Sequence, residues 1–103
     1  MEGQPLVSPD VLARYAGDAA SETAGVVALA GSPLHRGRAV SVVHAGDALE
    51  ISVHVELEWG SSAPAVGGAV QRRVREYVEQ MANATIASVD VVVERVGPSP
   101  ATS

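Results

Sequence analysis

Cysteine is absent from these 103 residues, so neither disulfides nor thiolate chemistry can contribute to fold or function. That absence is compatible with a reducing, cytoplasmic setting. Phenylalanine is absent as well, and aromatic residues make up only 3% of the chain, which leaves little flat surface for a ligand to stack on. Lysine is missing altogether: all seven basic side chains are arginines, set against 12 carboxylates for a net charge of −5. An acidic domain repels phosphate backbones and anionic headgroups unless its few cations cluster. No apolar run approaches the roughly 18 residues that a membrane-crossing helix needs, so direct insertion into a bilayer is not expected. The opening MEGQPLVSPD has neither the basic start nor the apolar stretch of a signal peptide.

What is present is aliphatic. The 47% apolar content includes 18 valines, enough for one core of stiff, branched side chains. At this length a single domain over residues 1–96 is expected, with 97–103, GPSPATS, as a disordered tail.

The pattern of apolar residues assigns the elements. Ser8-Pro9-Asp10 combines a capping hydroxyl, a proline suited to the first helical position and an acid at the positive end of the dipole. Val11, Leu12, Tyr15, Ala16, Ala19 and Ala20 then recur at helical spacing, ending near Thr23, and Val7 is placed to staple against Leu12. Gly25 to Ala30 reads as a first strand, residues 31–38 as a loop, and Ala39 to His44 as a second strand. Gly46-Asp47 suits a two-residue hairpin turn, which pairs Val42 with Ile51 and Val40 with Val53. The third strand, EISVHVELEWG, alternates without a break. Ile51, Val53, Val55, Leu57 and Trp59 face one way; Glu50, Ser52, His54, Glu56 and Glu58 face the other.

A second helix starts at Ser61-Ser62-Ala63-Pro64 and runs to about Ala82, with Val66, Val70, Val74, Tyr77, Val78 and Met81 as its buried stripe. Ile86 to Val96 is the last strand, its Val89, Val91 and Val93 turned to the core. The order α-β-β-β-α-β predicts an α+β two-layer sandwich, with both helices on one face of a mixed three- to four-stranded sheet. A right-handed crossover sets the last strand parallel to the third; whether the two are neighbours is open. The other sheet face is left uncovered.

Three groups of residues are candidates for function. The row Glu50, His54, Glu56 and Glu58 stands on the uncovered face. Same-face neighbours on a strand are about 6.6 Å apart, too far for tight joint metal ligation without a further element. A solvated face, or one that meets a basic partner or a second subunit, fits the row better than acid–base work. Arg72, Arg73 and Arg75 form the one local basic cluster, with Glu76 and Glu79 four residues on as counterions. A nucleic-acid site needs more positive charge, stacking aromatics or a KH-type GxxG loop, and none is present even if Arg36 and Arg38 are added. The loop GSPLHRG lacks the Lys-Ser/Thr ending of a phosphate-binding loop, and no GxSxG elbow occurs. Trp59 is expected in the core, or at its rim as a binding anchor. Gly67-Gly68 either lets the second helix approach the sheet closely or marks a helix that packs on another chain.

Taken end to end, residues 7 to 96 resemble the alkaline-shock protein family, the Gls-type envelope stress response proteins of Gram-positive bacteria. VSPDVLARYAGDAASETAGVVAL is similar to that family's first helix and the turn after it, here Ala24-Gly25-Val26. ISVHVELEWG is similar to its long central strand, AVQRRVREYVEQM to its second helix and VDVVVERV to its closing strand. Asp90 stands where an asparagine is usual, Gly67-Gly68 interrupts the helix, and Asn83 replaces a glycine. The resemblance implies a non-enzymatic cytoplasmic protein without cofactor, acting in envelope stress and cell-surface homeostasis. It further implies self-association into a homo-oligomer and docking to a small membrane-anchored protein, which holds the chain at the membrane periphery. A KH-like nucleic-acid-binding module is the alternative on the same fold class.

Overall fold

In a computed structural model, residues 8–30 and 39–97 are described. Helix α1 spans Pro9–Ser21, followed by strands β1 (Val26–Leu29), β2 (Val40–Ala45) and β3 (Ala48–Leu57), helix α2 (Ala63–Ala82) and strand β4 (Thr85–Val96). Each helix begins where the sequence places a cap. The Ser8 hydroxyl accepts from the Val11 N–H at 3.2 Å, and the Ser62 hydroxyl accepts from the Ala65 N–H at 3.3 Å. Helix α2 ends on Asn83 in the left-handed conformation, φ 52° and ψ 43°, its N–H donating to the Glu79 carbonyl. The conformation that glycine would adopt at this position is thus met by asparagine, the next most tolerant residue.

The sheet is organised around β3. The β2–β3 hairpin turns at Gly46-Asp47 and pairs Val42 with Ile51 and Val40 with Val53, the expected register. Strand β1 pairs antiparallel with the far half of the same edge, Val26 with Leu57 and Leu29 with Val55, skipping Val27. Strands β1 and β2 therefore lie end to end along one edge of β3. The junction is closed by His54, whose carbonyl accepts from Ala30 N–H at 2.9 Å and whose N–H donates to the Ala39 carbonyl at 2.8 Å. Strand β4 takes the other edge, parallel to β3 along its full length, so the sheet is mixed. The ladder is interrupted twice, leaving Ala87 and Glu94 as extra residues. It continues through Gly97, which is buried and donates to the Leu57 carbonyl at 2.6 Å. The remaining tail, Val7 and the loop 31–38 with Arg36 and Arg38 lie outside the described residues.

Leu49, Ile51, Val53, Val55 and Leu57 line the covered face of β3 and are all buried. Leu12, Ala16, Ala19 and Ala20 of α1, Val70, Val74 and Val78 of α2, and Ile86 and Val89 of β4 close over them. The helices also meet each other, with the Tyr15 and Tyr77 rings edge to face at 5.9 Å and 88°.

Three expected core positions are corrected. Val11 is exposed at the border of the α1 stripe. Met81 is 49% exposed, because the buried line of α2 advances strictly by four, from Val66 through Val70, Val74 and Val78 to Ala82, which packs on the core in its place. Trp59 is 54% exposed. Strand β3 ends at Leu57, and the chain leaves the sheet through a turn in which Ser61 N–H donates to the Glu58 carbonyl and Gly60 takes φ +87°. Alternation no longer dictates where the indole goes.

Gly25 and Gly67 make a direct contrast. Gly25 has φ +95°, and a Cβ there would stand 2.7 Å from Val66 Cγ2. A Cβ on Gly67 or Gly68 meets nothing within 4 Å, so neither glycine serves a close approach of helix to sheet. In urea unfolding, Gly25→Ala is expected to lower stability by about 2 kcal/mol. Gly67→Ala is expected to raise it by about 0.5–1 kcal/mol.

Candidate functional site

The helices cover one face of the sheet and leave the other open, and the polar row of β3 stands on that open face. Glu50 is exposed, Ser52 and Glu56 are half-buried, and the His54 side chain is only 16% exposed. Two of the row's members have partners on β4. His54 Nδ1 pairs with Glu94 Oε2, and the Arg95 guanidinium forms an ion pair with Glu56 Oε2 at 3.2 Å. The Arg95 contact depends on the interruption at Glu94. Simple alternation from Val93 puts Glu94 on the open face and Arg95 on the core face; the extra residue turns Arg95 to the open side as well, opposite Glu56. Around these pairs the face carries Ser41, Val43 and Ala45 on β2 and Ser88 and Val92 on β4.

The remaining candidates lie elsewhere. Glu58 is past the end of β3 and exposed in the turn to α2. Arg72, Arg73 and Arg75 belong to α2, on the opposite layer, so the expected residues divide into two surfaces separated by the sheet. Arg72 and Arg73 border a shallow depression with Glu76, Tyr77 and Gln80. Arg75 turns to the sheet, where it donates to the Ile86 carbonyl at 2.8 Å, beside Gln71, which donates to the Val89 carbonyl at 2.9 Å. Its expected role as half of a helix-surface pair with Glu79 gives way to a main-chain contact on β4.

Arg95 and Glu94 were missed by sequence reasoning as members of the polar face. Their signal was the doublet itself: two charged residues in succession between Val93 and Val96 break a strand's alternation, as a bulge does. Among the described residues no three His, Asp or Glu side chains converge as metal ligands. The open face carries the Arg95–Glu56 ion pair and, beside it, the His54–Glu94 contact. Among the described residues, no helix is long and apolar enough to cross a membrane.

These features coincide with a known class of chain. The protein belongs to the alkaline shock protein 23 family, which has a cell envelope-related function and whose pattern matches residues 1–98. It is 28% identical over 99 residues to the uncharacterized protein YqhY of Bacillus subtilis (strain 168), an alignment that covers 86% of this chain and 73% of that one. Among solved structures, variants of the MamM CTD share the fold. One superposes with a TM-score of 0.58 at 12% identity, covering 85% of this chain and 98% of the other. A second, described as a nickel form, gives 0.56 at 13% identity, covering 84% and 96%. At that identity the likeness is one of fold.

The two side-chain pairs differ in burial and are expected to differ in strength. A double-mutant cycle on His54→Ala and Glu94→Ala, read by urea unfolding, should give a coupling of about 1 kcal/mol. The cycle on Glu56→Ala and Arg95→Ala should give less than about 0.5 kcal/mol, because the Arg95 side chain is 75% exposed.

Proposed function

We propose that this protein is a non-enzymatic factor of envelope stress response and cell-surface homeostasis, which works by self-association and by docking to a small membrane-anchored protein. The observation that carries the reading is the open sheet face. It presents complementary pairs, His54–Glu94 and Arg95–Glu56, on a surface of small side chains in a family with a cell envelope-related function. Such a face matches a protein surface better than a small substrate, which needs a concave, mostly apolar pocket with convergent polar groups. The partner, and not this domain, supplies the membrane anchor, which keeps the chain in the cytoplasm at the membrane periphery. Nucleic acid is disfavoured by the charge of −5 and by the dispersal of the arginines: Arg14 on α1, three on α2 and Arg95 on β4.

The experiment is affinity purification from native cells in mild detergent, with and without nuclease, of the wild-type chain and of Glu50→Arg. Wild type should recover a small protein with one membrane span, unaffected by nuclease. Glu50→Arg, exposed and on the open face, should recover at least about fivefold less, equivalent to about 1 kcal/mol. RNA recovery abolished by nuclease would replace the docking reading with the KH-like one.

A further inference from the structure

Strand β4 is a twelve-residue edge strand: among the described residues, nothing pairs with its side away from β3. Long unprotected edges invite pairing with another chain, and proteins usually block them. Here the block covers only half the strand. Arg75 donates to the Ile86 carbonyl and Gln71, one turn earlier in α2, donates to the Val89 carbonyl. Helix and strand run in opposite directions, so the next side chain toward the α2 N-terminus would reach the next outward groups of β4. That place is held by Gly68, which lines the same groove as Gln71, Arg75 and Val89 and whose Cβ position faces open space. Main-chain groups alternate along a strand, so Val91 and Val93 follow Val89 with their N–H and C=O turned outward and no side chain of α2 to meet them.

We infer that this bare half of β4 is the edge through which a second copy of the chain joins the sheet. The copies pair antiparallel about a two-fold axis at Val92, which gives a continuous sheet of six strand rows. The inference rests on the self-association part of the functional reading and assigns it a surface. Each Val91 exchanges hydrogen bonds with Val93 of the second copy. Val92, 39% exposed on the open face, packs against Val92 of the second copy, since the non-hydrogen-bonded pair brings side chains closest.

A counterion is available to Asp90 in this register. Asp90 comes opposite the Glu94-Arg95 bulge of the second copy. Glu94 is engaged by His54, and Arg95, which also touches Glu56, keeps a mostly exposed guanidinium on the open face, where Asp90 lies too. Within the bulge, Arg95 thus offers Asp90 an opposite charge twice across the axis, which offsets the like charge of Glu94. No proline stands in β4, and its bulge at Glu94 confines regular pairing to the stretch around Val91–Val93.

The test is sedimentation equilibrium of the full chain up to several hundred micromolar, with thermal melting of each variant as the control for folding. Wild type should dimerise. Gly68→Gln replaces a helix-interior glycine with a residue long enough to continue the Gln71–Arg75 row, so it should raise the melting temperature yet weaken the dimer about tenfold or more. Asp90→Arg and Arg95→Asp should each weaken the dimer, and the double variant should recover most of the loss. A wild type that stays monomeric overturns the inference and leaves docking to a membrane-anchored partner standing. A dimer indifferent to Gly68→Gln and to both charge reversals also overturns it, and moves self-association to another surface. Co-purification of the membrane partner by Gly68→Gln should be unchanged, which separates this edge from the docking face.

Discussion

Five side chains of one strand, Leu49, Ile51, Val53, Val55 and Leu57, must leave water on the same side. Burying each is worth about 1.5–3 kcal/mol, and no single helix is wide enough to cover a ten-residue row together with its neighbours on both edges. The two-layer arrangement follows. Helix α1 brings alanines, Ala16, Ala19 and Ala20, and so lies close to the sheet; α2 brings valines at every fourth position. The turn that joins α1 to β1 has to fit under this layer, and Gly25 is the point of least tolerance because both its dihedral and the methyl of Val66 exclude a side chain.

The same burial leaves the opposite face of β3 with a distinct physical character. His54 illustrates how far backbone and side chain are bound together there. Its peptide groups hold the ends of β1 and β2 in line, while its imidazole reaches across β3 to β4 and Glu94. A polar residue at the centre of an uncovered sheet is thereby fixed in orientation by contacts on both edges. The adjacent Arg95–Glu56 ion pair also bridges β4 and β3. Individually such surface pairs contribute little to stability. In the docking proposed for this face, their contribution is to orient charge.

Edge protection by α2 gives the helix a second role beyond covering the core. Gln71 and Arg75 satisfy main-chain carbonyls that would otherwise face water or another strand. Gly67 and Gly68 interrupt that protection, and they do so without any packing requirement of the monomer. A residue pair that lowers helix propensity and fills no tight space makes sense when the missing side chains leave main chain accessible. Within one helix, then, the turns that shield β4 and the turn that leaves it open are separated by three residues.

Much of the fold was legible in the sequence because the determining signals are local. Ser8-Pro9-Asp10 and Ser62-Ala63-Pro64 mark helix starts, Asn83 marks an end, and Gly46-Asp47 sets a hairpin whose register follows from strict alternation on both sides. The open face of β3, including Glu50, His54 and Glu56, was likewise determined by a period of two. Long-range adjacency was not. A parallel neighbour is reached only through α2, so nothing in the sequence placed β4 beside β3, and the partners of His54 and Glu56 could not be named. The bulge at Glu94 moved Arg95 across the sheet, the exit turn after Leu57 released Trp59 to solvent, and Arg75 exchanged a helix-surface neighbour for a strand carbonyl. Alternation and capping act over a few residues and are written in the chain. Which edges meet, and which main-chain groups remain unpaired when they do, depends on how ordered segments far apart in sequence dock on one another, and only the tertiary structure settles that.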